Sequence, residues 1–256
     1  MEENREKKEL IYNPQYVNPS ISEALCEIHF ATKTGNFEDS IKELKLLLKS
    51  SYQEPQEKKI KQYHAKINEV GVSVEETPIS FWVFKHNERN HLIQIFPHML
   101  SVNELGKYPG WKIFSDDLFS AWNAVKKAFS VLDIKHIGLR YINLIPRKNA
   151  EEPLSQWLQP NRYYPDGILD STTGFVSRSE FNIEESKRLI VTIAEAIQDN
   201  HEKGFIFDID TVAQINEAME WESIIEKIDS LHDLVSDVFF SSIARKYESF
   251  LKGENV

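Results

Sequence analysis

The feature that most constrains this chain of 256 residues is an internal echo. "SVNELGKYPGW" carries Asn103, Glu104 and Trp111, and "QINEAMEW" carries Asn216, Glu217 and Trp221. The Asn-Glu pairs are 113 residues apart (216 − 103) and the tryptophans 110 (221 − 111). Shortening the KYPG turn by three residues reconciles the two lags. Counting onward from Trp111 by 7, 10, 14 and 18 gives Leu118, Ala121, Val125 and Phe129. The same steps from Trp221 give Ile228, Leu231, Val235 and Phe239. All eight are apolar at helical spacing, so each echo predicts a strand end, a corner and an amphipathic helix. The corner reading makes Trp111 and Trp221 plugs for the core of their own half. Asn103 and Glu104 then tie down the strand end.

The opening strands also align, Ala24–Phe30 against Gly138–Leu144, at a lag of 114 (138 − 24). The pattern predicts an α+β fold of two pseudo-repeated β-α-β-β-β-α halves. They would form a mostly antiparallel curved sheet covered on one face by helices, leaving the other as a saddle or cleft. The expected organisation is an extended arm over 1–20, a first half over 21–133 and a second over 134–256, in one compact unit.

Within that frame, "SEALCEIHFAT" reads as strand and "NFEDSIKELKLLLKSS" as a helix capped by Asn36. "YQEPQEKKIKQ" reads as loop, followed by three strand-like runs with "HNERN" as a hairpin connection. "DDLFSAWNAVKKAFSVL" reads as a helix with Asp116 and Asp117 in its first turn. "IKHIGLRYINLIP" opens the second half as strand, "AEEPLSQWLQ" is a short helix and "PNRYYPDGILDSTTG" a long loop. Three more strands and one long last helix complete it.

Forty acidic residues against 30 basic ones disfavour binding to a phosphate backbone and favour basic partners or cations. The single cysteine, Cys26, excludes an internal disulfide and sits in an apolar strand, where a buried inert thiol is expected. The charged N-terminus lacks a signal-peptide pattern and no apolar run is long enough to span a bilayer, so a cytoplasmic protein is expected. No HxH or HExxH spacing offers a zinc hydrolase site. GxGxxG, GxxxxGK[ST] and GxSxG are all absent, so no phosphate loop or nucleophile elbow has a candidate.

Several segments together resemble a sporadically distributed prokaryotic family of about this length with no assigned activity. They are "NPSISEALCEIHF", "SVNEL…YPGW", "GLRYINLIP", "FDID" and "LHDLVSDVFFSSI". The resemblance spans nearly the whole chain. It implies an accessory gene of variable genome regions, including defence-type neighbourhoods, and it carries over no catalytic residue.

Three groups of residues invite a functional reading. Asp208 and Asp210 lie two apart on one strand face, as carboxylates that hold Mg²⁺ can. Alternatively they pair with Arg140, Arg178 or Arg188, since a buried arginine needs a carboxylate. Glu27 and His29 share a strand face, like an acid-base pair, but two-apart Cβ atoms are about 7 Å from each other, too far for contact without a third group. The lag of 114 sets Tyr141 against Glu27 and Asn143 against His29, which suggests a polar mid-sheet face. Glu27, His29, Arg140, Asn143, Asp208 and Asp210 are thus the candidate cleft residues. Asn161, Arg162, Tyr163 and Tyr164, with Tyr108 in the KYPG insertion, are the candidate partner contacts.

The leading expectation is a non-enzymatic accessory protein that binds a protein partner, in antiphage defence or toxin neutralisation. One alternative is a nucleotide or small-molecule sensor binding between the halves. Another is a metal-dependent nuclease or phosphotransferase using Asp208 and Asp210. No cofactor is expected, and a homodimer through an edge strand or the last helix stays open.

Overall fold

A computed structural model describes residues 16–32, 36–68, 71–147, 151–171, 174–197, 203–216 and 220–254. Residues 62–68, 71–75, 131, 132, 197 and 203 are described by their backbone alone. Most of the expected N-terminal arm and Glu217 lie outside the described residues.

Among the described residues nine strands form one open sheet in the order β2-β3-β4-β5-β1-β6-β9-β8-β7, and every neighbouring pair is antiparallel. The strands are β1 (Ile21–Thr32), β2 (Gln56–Asn68), β3 (Gly71–Lys85), β4 (His91–Phe96), β5 (Met99–Leu105), β6 (Val131–Pro146), β7 (Val176–Glu184), β8 (Lys187–Ile197) and β9 (Lys203–Gln214). Four α-helices among the described residues accompany them: α1 (Phe37–Leu48), α2 (Trp111–Ala128), α3 (Trp221–Ser242) and α4 (Arg245–Leu251). The opening strands of the two sequence halves, β1 and β6, lie side by side at the centre of the sheet.

Alternation decides which way each strand faces. In β1 the even-numbered Ala24, Cys26, Ile28 and Phe30 are buried. In β6 the odd-numbered Ile137, Leu139, Tyr141 and Ile145 are buried, and in β9 Phe205, Phe207 and Ile209. These side chains share one core with the apolar stripes of α1, α2 and α3. All eight stripe residues counted from the two tryptophans are buried in it. Cys26 is free and fully buried, and burial pushes its thiol pKa far up, so the inert reading fits.

The faces correct the strand alignment. A lag of 114 sets Glu27 against Tyr141, yet Tyr141 is in the core and Glu27 points away from it. Side-chain direction has a period of two, so a slip of one residue exchanges the faces. An odd lag, such as the 113 of the Asn-Glu echo, keeps them matched.

Several boundaries also move. The charged "QEKKIKQ" is not loop but the first half of β2, whose partner β3 supplies its hydrogen bonds. Pro78 is tolerated inside β3 because β4 pairs only with Trp82–Lys85, leaving the proline's side of β3 without a second neighbour there. "HLIQIFPHMLSVNEL" folds at Pro97-His98 into two strands, so four strands, not three, follow α1. Helix α2 starts at Trp111, five residues before Asp116, because Gly110 at φ 98° makes the corner. Asp116 and Asp117 are therefore not in its first turn; Asp116 pairs with Lys112 one turn back. The short helix at "AEEPLSQWLQ" is a single 3-10 turn, Leu154–Gln156. The long last helix is broken at Ile243, which bridges to Leu158, while Ala244 N–H donates to Trp157 O at 2.8 Å. That exchange of backbone partners ends α3, and α4 restarts.

The tryptophans pack differently from the expectation. Trp111 stacks on His232 of α3, with centroids 4.1 Å apart. Trp221 stacks on Trp122 of α2 at 5.7 Å. Each corner residue therefore crosses to the opposite helix instead of plugging its own half. In each case the target lies eleven residues along from the other tryptophan (232 − 221 and 122 − 111).

Candidate functional site

On the face away from the core, β1, β6, β9 and β8 bring charged residues together around a gap. The gap is above Gly138. Its strand neighbours are Glu27 on β1 and Val212 on β9, and Val212 in turn faces Arg188 on β8. On β6 itself His136 and Arg140 stand two residues to either side of the glycine. With no side chain at 138, the floor opens into a cleft of about 280 Å³, lined by Leu25, Glu27, His136, Arg140, Arg188 and Asp210 among others. A Cβ at Gly138 would meet nothing closer than 3.9 Å, so the missing side chain makes the cleft, not a backbone that demands glycine.

Arg140 anchors one wall. Its Nε and Nη2 donate to Asp208 Oδ1 and Oδ2, both at 2.8 Å, a bidentate pair. Asp208 faces Ile142 across the β6–β9 ladder, and Arg140 faces Asp210. The arginine thus reaches diagonally past its direct neighbour. The Asp208 side chain is only 8% exposed, and the arginine supplies the paired charge that a buried carboxylate needs. The Asp208 bonds also raise the Arg140 pKa.

Asp210 is left over. No hydrogen bond or ion pair to its carboxylate forms among the described residues. Burial, more than any other cause, pushes its pKa up to about 6. Arg140 and Arg188 pull it down, while Asp208 and Glu27 add to the rise. Of the two aspartates, then, one is fully paired and the other is a half-buried carboxylate facing the cleft.

Glu27 and His29 do touch: His29 Nε2 lies 3.2 Å from Glu27 Oε2. The 7 Å between Cβ positions misled because both side chains are long enough to lean together. His29 in turn stacks on His136, centroids 3.8 Å apart. Burial, then the neighbouring His29, lowers the His136 pKa, which favours a neutral ring at pH 7.

Asn143 does not join this group. It is fully buried on the core side of β6, where its Oδ1 accepts from Ser20 Oγ at 3.0 Å and its Nδ2 donates to Phe207 O at 3.1 Å. The candidate partner contacts are mostly interior as well. Tyr108 is 4% exposed and its hydroxyl meets that of Tyr141 at 2.9 Å. Tyr163 and Tyr164 are buried, and Tyr164 donates to Gln159 O at 2.6 Å. Asn161 turns the loop, accepting from Tyr163 N–H and donating to Ser242 Oγ. Arg162 alone is exposed, lying over the Tyr163 ring. The loop is scaffold: its aromatic residues fill the space between the sheet and α3.

A second charged cluster lies at the α2 end of β4 and β5. His91 and Glu104 are direct cross-strand partners, with Nδ1 to Oε2 at 3.0 Å, and Asp117 of α2 stands 4.0 Å from the same nitrogen. One histidine and two carboxylates this close could suit a divalent transition metal. Arg89, however, reaches in from the β3–β4 turn, with Nη2 2.5 Å from Asp117 Oδ2 and Nη1 3.9 Å from Glu104 Oε2. Its guanidinium takes the place a cation would occupy. The network fastens the β4–β5 hairpin to α2, and Glu104 plays the anchoring part expected of it. Asn103 does so too, donating to Glu23 Oε1 at 2.8 Å. Asp208 and Asp210 form no comparable group of three ligands among the described residues.

The sequence reading missed Gly138, His136 and the cleft role of Arg188. Gly138 carried a usable signal: an isolated glycine inside a confident strand marks either a bulge or a gap. Arg188 carried none, because only the β8–β9 register places it over Val212. No helix among the described residues is long and apolar enough to cross a membrane. Comparison with protein-family models and with curated proteins finds no match to the chain.

Proposed function

We propose that this protein binds a small polar ligand, without transforming it, in the cleft above Gly138. The observation that carries the reading is the gap itself, ringed by charges with the half-buried Asp210 carboxylate left without a bonded partner. A carboxylate partly withdrawn from water with no bonded partner is costly, and such perturbed groups concentrate at functional sites. Asp208 is engaged with Arg140 and Glu27 with His29, and among the described residues the cleft lining includes no serine, threonine, cysteine or lysine to act as nucleophile. Cys26 is on the buried face.

The same proposal includes the architecture. Two copies of one ancestral half, joined along β1 and β6, would place the cleft on the seam between them, with the helices on the other face. The reciprocal stacks of Trp111 on His232 and Trp221 on Trp122 support that reading, because each uses the equivalent position of the opposite helix.

Gly138→Leu tests it. The substitution fills the gap without a backbone clash, so the variant is expected to fold with a melting temperature near that of the wild type. Small molecules that co-purify with the wild type, released by denaturation and weighed by mass spectrometry, are expected to be missing from the variant. Identical small-molecule profiles from both proteins would refute the cleft as a binding site.

A further inference from the structure

Resting on the cleft reading, we infer that the ligand above Gly138 is a small organic cation whose N–H donors meet the Asp210 carboxylate. The charges around the gap specify this by subtraction. Four elements present ionisable groups there: Glu27 on β1, His136 and Arg140 on β6, Asp208 and Asp210 on β9, and Arg188 on β8. Arg140 spends two of its donors on Asp208, and that pair is neutral as a unit. His136, desolvated and stacked on His29, favours its uncharged form. Arg188 lies with Nη1 3.8 Å from Glu180 Oε2, a carboxylate that Arg178 holds more closely, and its charge acts on Asp210 from the far wall without bonding it. Glu27 is held by His29, with Nε2 3.2 Å from Oε2, so Asp210, on the strand beside Gly138, is the ring carboxylate that remains without a bonded partner among the described residues. An anion placed there would face two carboxylates. An ammonium or guanidinium would complete the hydrogen bonding that Asp210 lacks, in a setting where a charge-assisted bond is strong.

The cleft suits a ligand of modest size, and its floor of Leu25 and Val212 accepts a short methylene chain. The acidic balance of the chain, 40 acidic to 30 basic residues, also draws cations toward the surface. Binding should be linked to pH through Asp210. Protonation removes the acceptor charge, so a cation binds more weakly as pH falls through the value of about 6.

The experiment uses the full chain and three probes: methylguanidinium, putrescine and AMP as a nucleotide anion. Binding is measured by calorimetry and thermal shift for the wild type, Asp210→Asn and Gly138→Leu. At least one of the two cations is expected to bind the wild type at pH 7.5. Asp210→Asn should weaken it roughly tenfold or more, the loss typical of one charge-assisted bond. Gly138→Leu should abolish it. Lowering the pH to 5 should weaken wild-type binding about tenfold and leave Asp210→Asn unchanged. If AMP binds in a Gly138-dependent way and neither cation does, the cation inference is overturned and the cleft reading survives. If neither cation binds, or if Asp210→Asn binds them as tightly as the wild type, the inference is also overturned. The cleft reading falls with it only when Gly138→Leu also leaves the co-purifying molecules unchanged.

Discussion

Asp210 should make this protein less stable at neutral pH than its neutral isostere would. In the folded chain its pKa stands at about 6, against 3.8 for the free side chain, with burial as the main cause. A carboxylate with a raised pKa holds its proton more tightly when folded. Its contribution is therefore favourable below the unfolded value near 4 and is lost as pH rises through 6. At about 1.4 kcal/mol per pH unit, the two-unit gap amounts to roughly 3 kcal/mol of destabilisation at pH 8. Asp210→Asn keeps the shape and removes the charge. It should stabilise the empty protein by roughly 2–3 kcal/mol at pH 8, which for a chain of this size raises Tm by roughly 5–10 °C. At pH 4, where the folded carboxyl is protonated and the unfolded one about half ionised, the difference should shrink to roughly 0.5 kcal/mol. Thermal unfolding of both from pH 4 to 8 makes the comparison. A variant that is less stable than the wild type at pH 8, or a gain that persists unchanged at pH 4, would show that Asp210 is satisfied in the fold and is not waiting for a ligand.

Other consequences can be checked on the same protein. Arg140→Met leaves Asp208 buried without its cation; because the guanidinium is 41% exposed, the loss should be at the lower end for a broken pair, about 2–3 kcal/mol by urea unfolding. An unchanged midpoint would mean that water replaces the arginine. Trp122→Ala, at a position 1% exposed between Phe30 and Trp221, should cost about 3–5 kcal/mol. A cost near zero would contradict the helix packing. Tyr108→Phe should cost about 1 kcal/mol through its hydroxyl contact with Tyr141. A surface contact residue at that position would show no stability change. Cys26 should resist a thiol reagent in the native state and react once denaturant unfolds the chain; rapid native labelling would contradict its complete burial.

How much of this was legible beforehand differs from element to element. The stripes after Trp111 and Trp221 were readable because a helix repeats its buried face every three to four residues, and a stripe of four apolar positions leaves few alternatives. The Asn36 cap was readable for the same local reason, and its side chain does accept from Glu38 N–H at 3.1 Å. Strand β2 was not readable. Its run of lysines looks like loop, and only pairing with β3 along an outer edge makes it a strand. The aromatic loop at Tyr163 and Tyr164 was misjudged because tyrosine serves interfaces and cores equally well, and the choice depends on what covers it.

The sequence by itself determined the mixed α and β class, the apolar stripes of α2 and α3, and Arg140 as one candidate partner for an aspartate of "FDID". Those follow from local periodicity and from the cost of burying an unpaired charge. Tertiary structure alone decided which aspartate. The β6–β9 register put Asp210 opposite Arg140, and the diagonal reach of the guanidinium gave it to Asp208 instead. Strand register likewise turned Asn143 into the core and left Gly138 open beneath four charged neighbours. Register is set by the sum of many weak pairings across chain segments far apart in sequence, so no single stretch of sequence contains it.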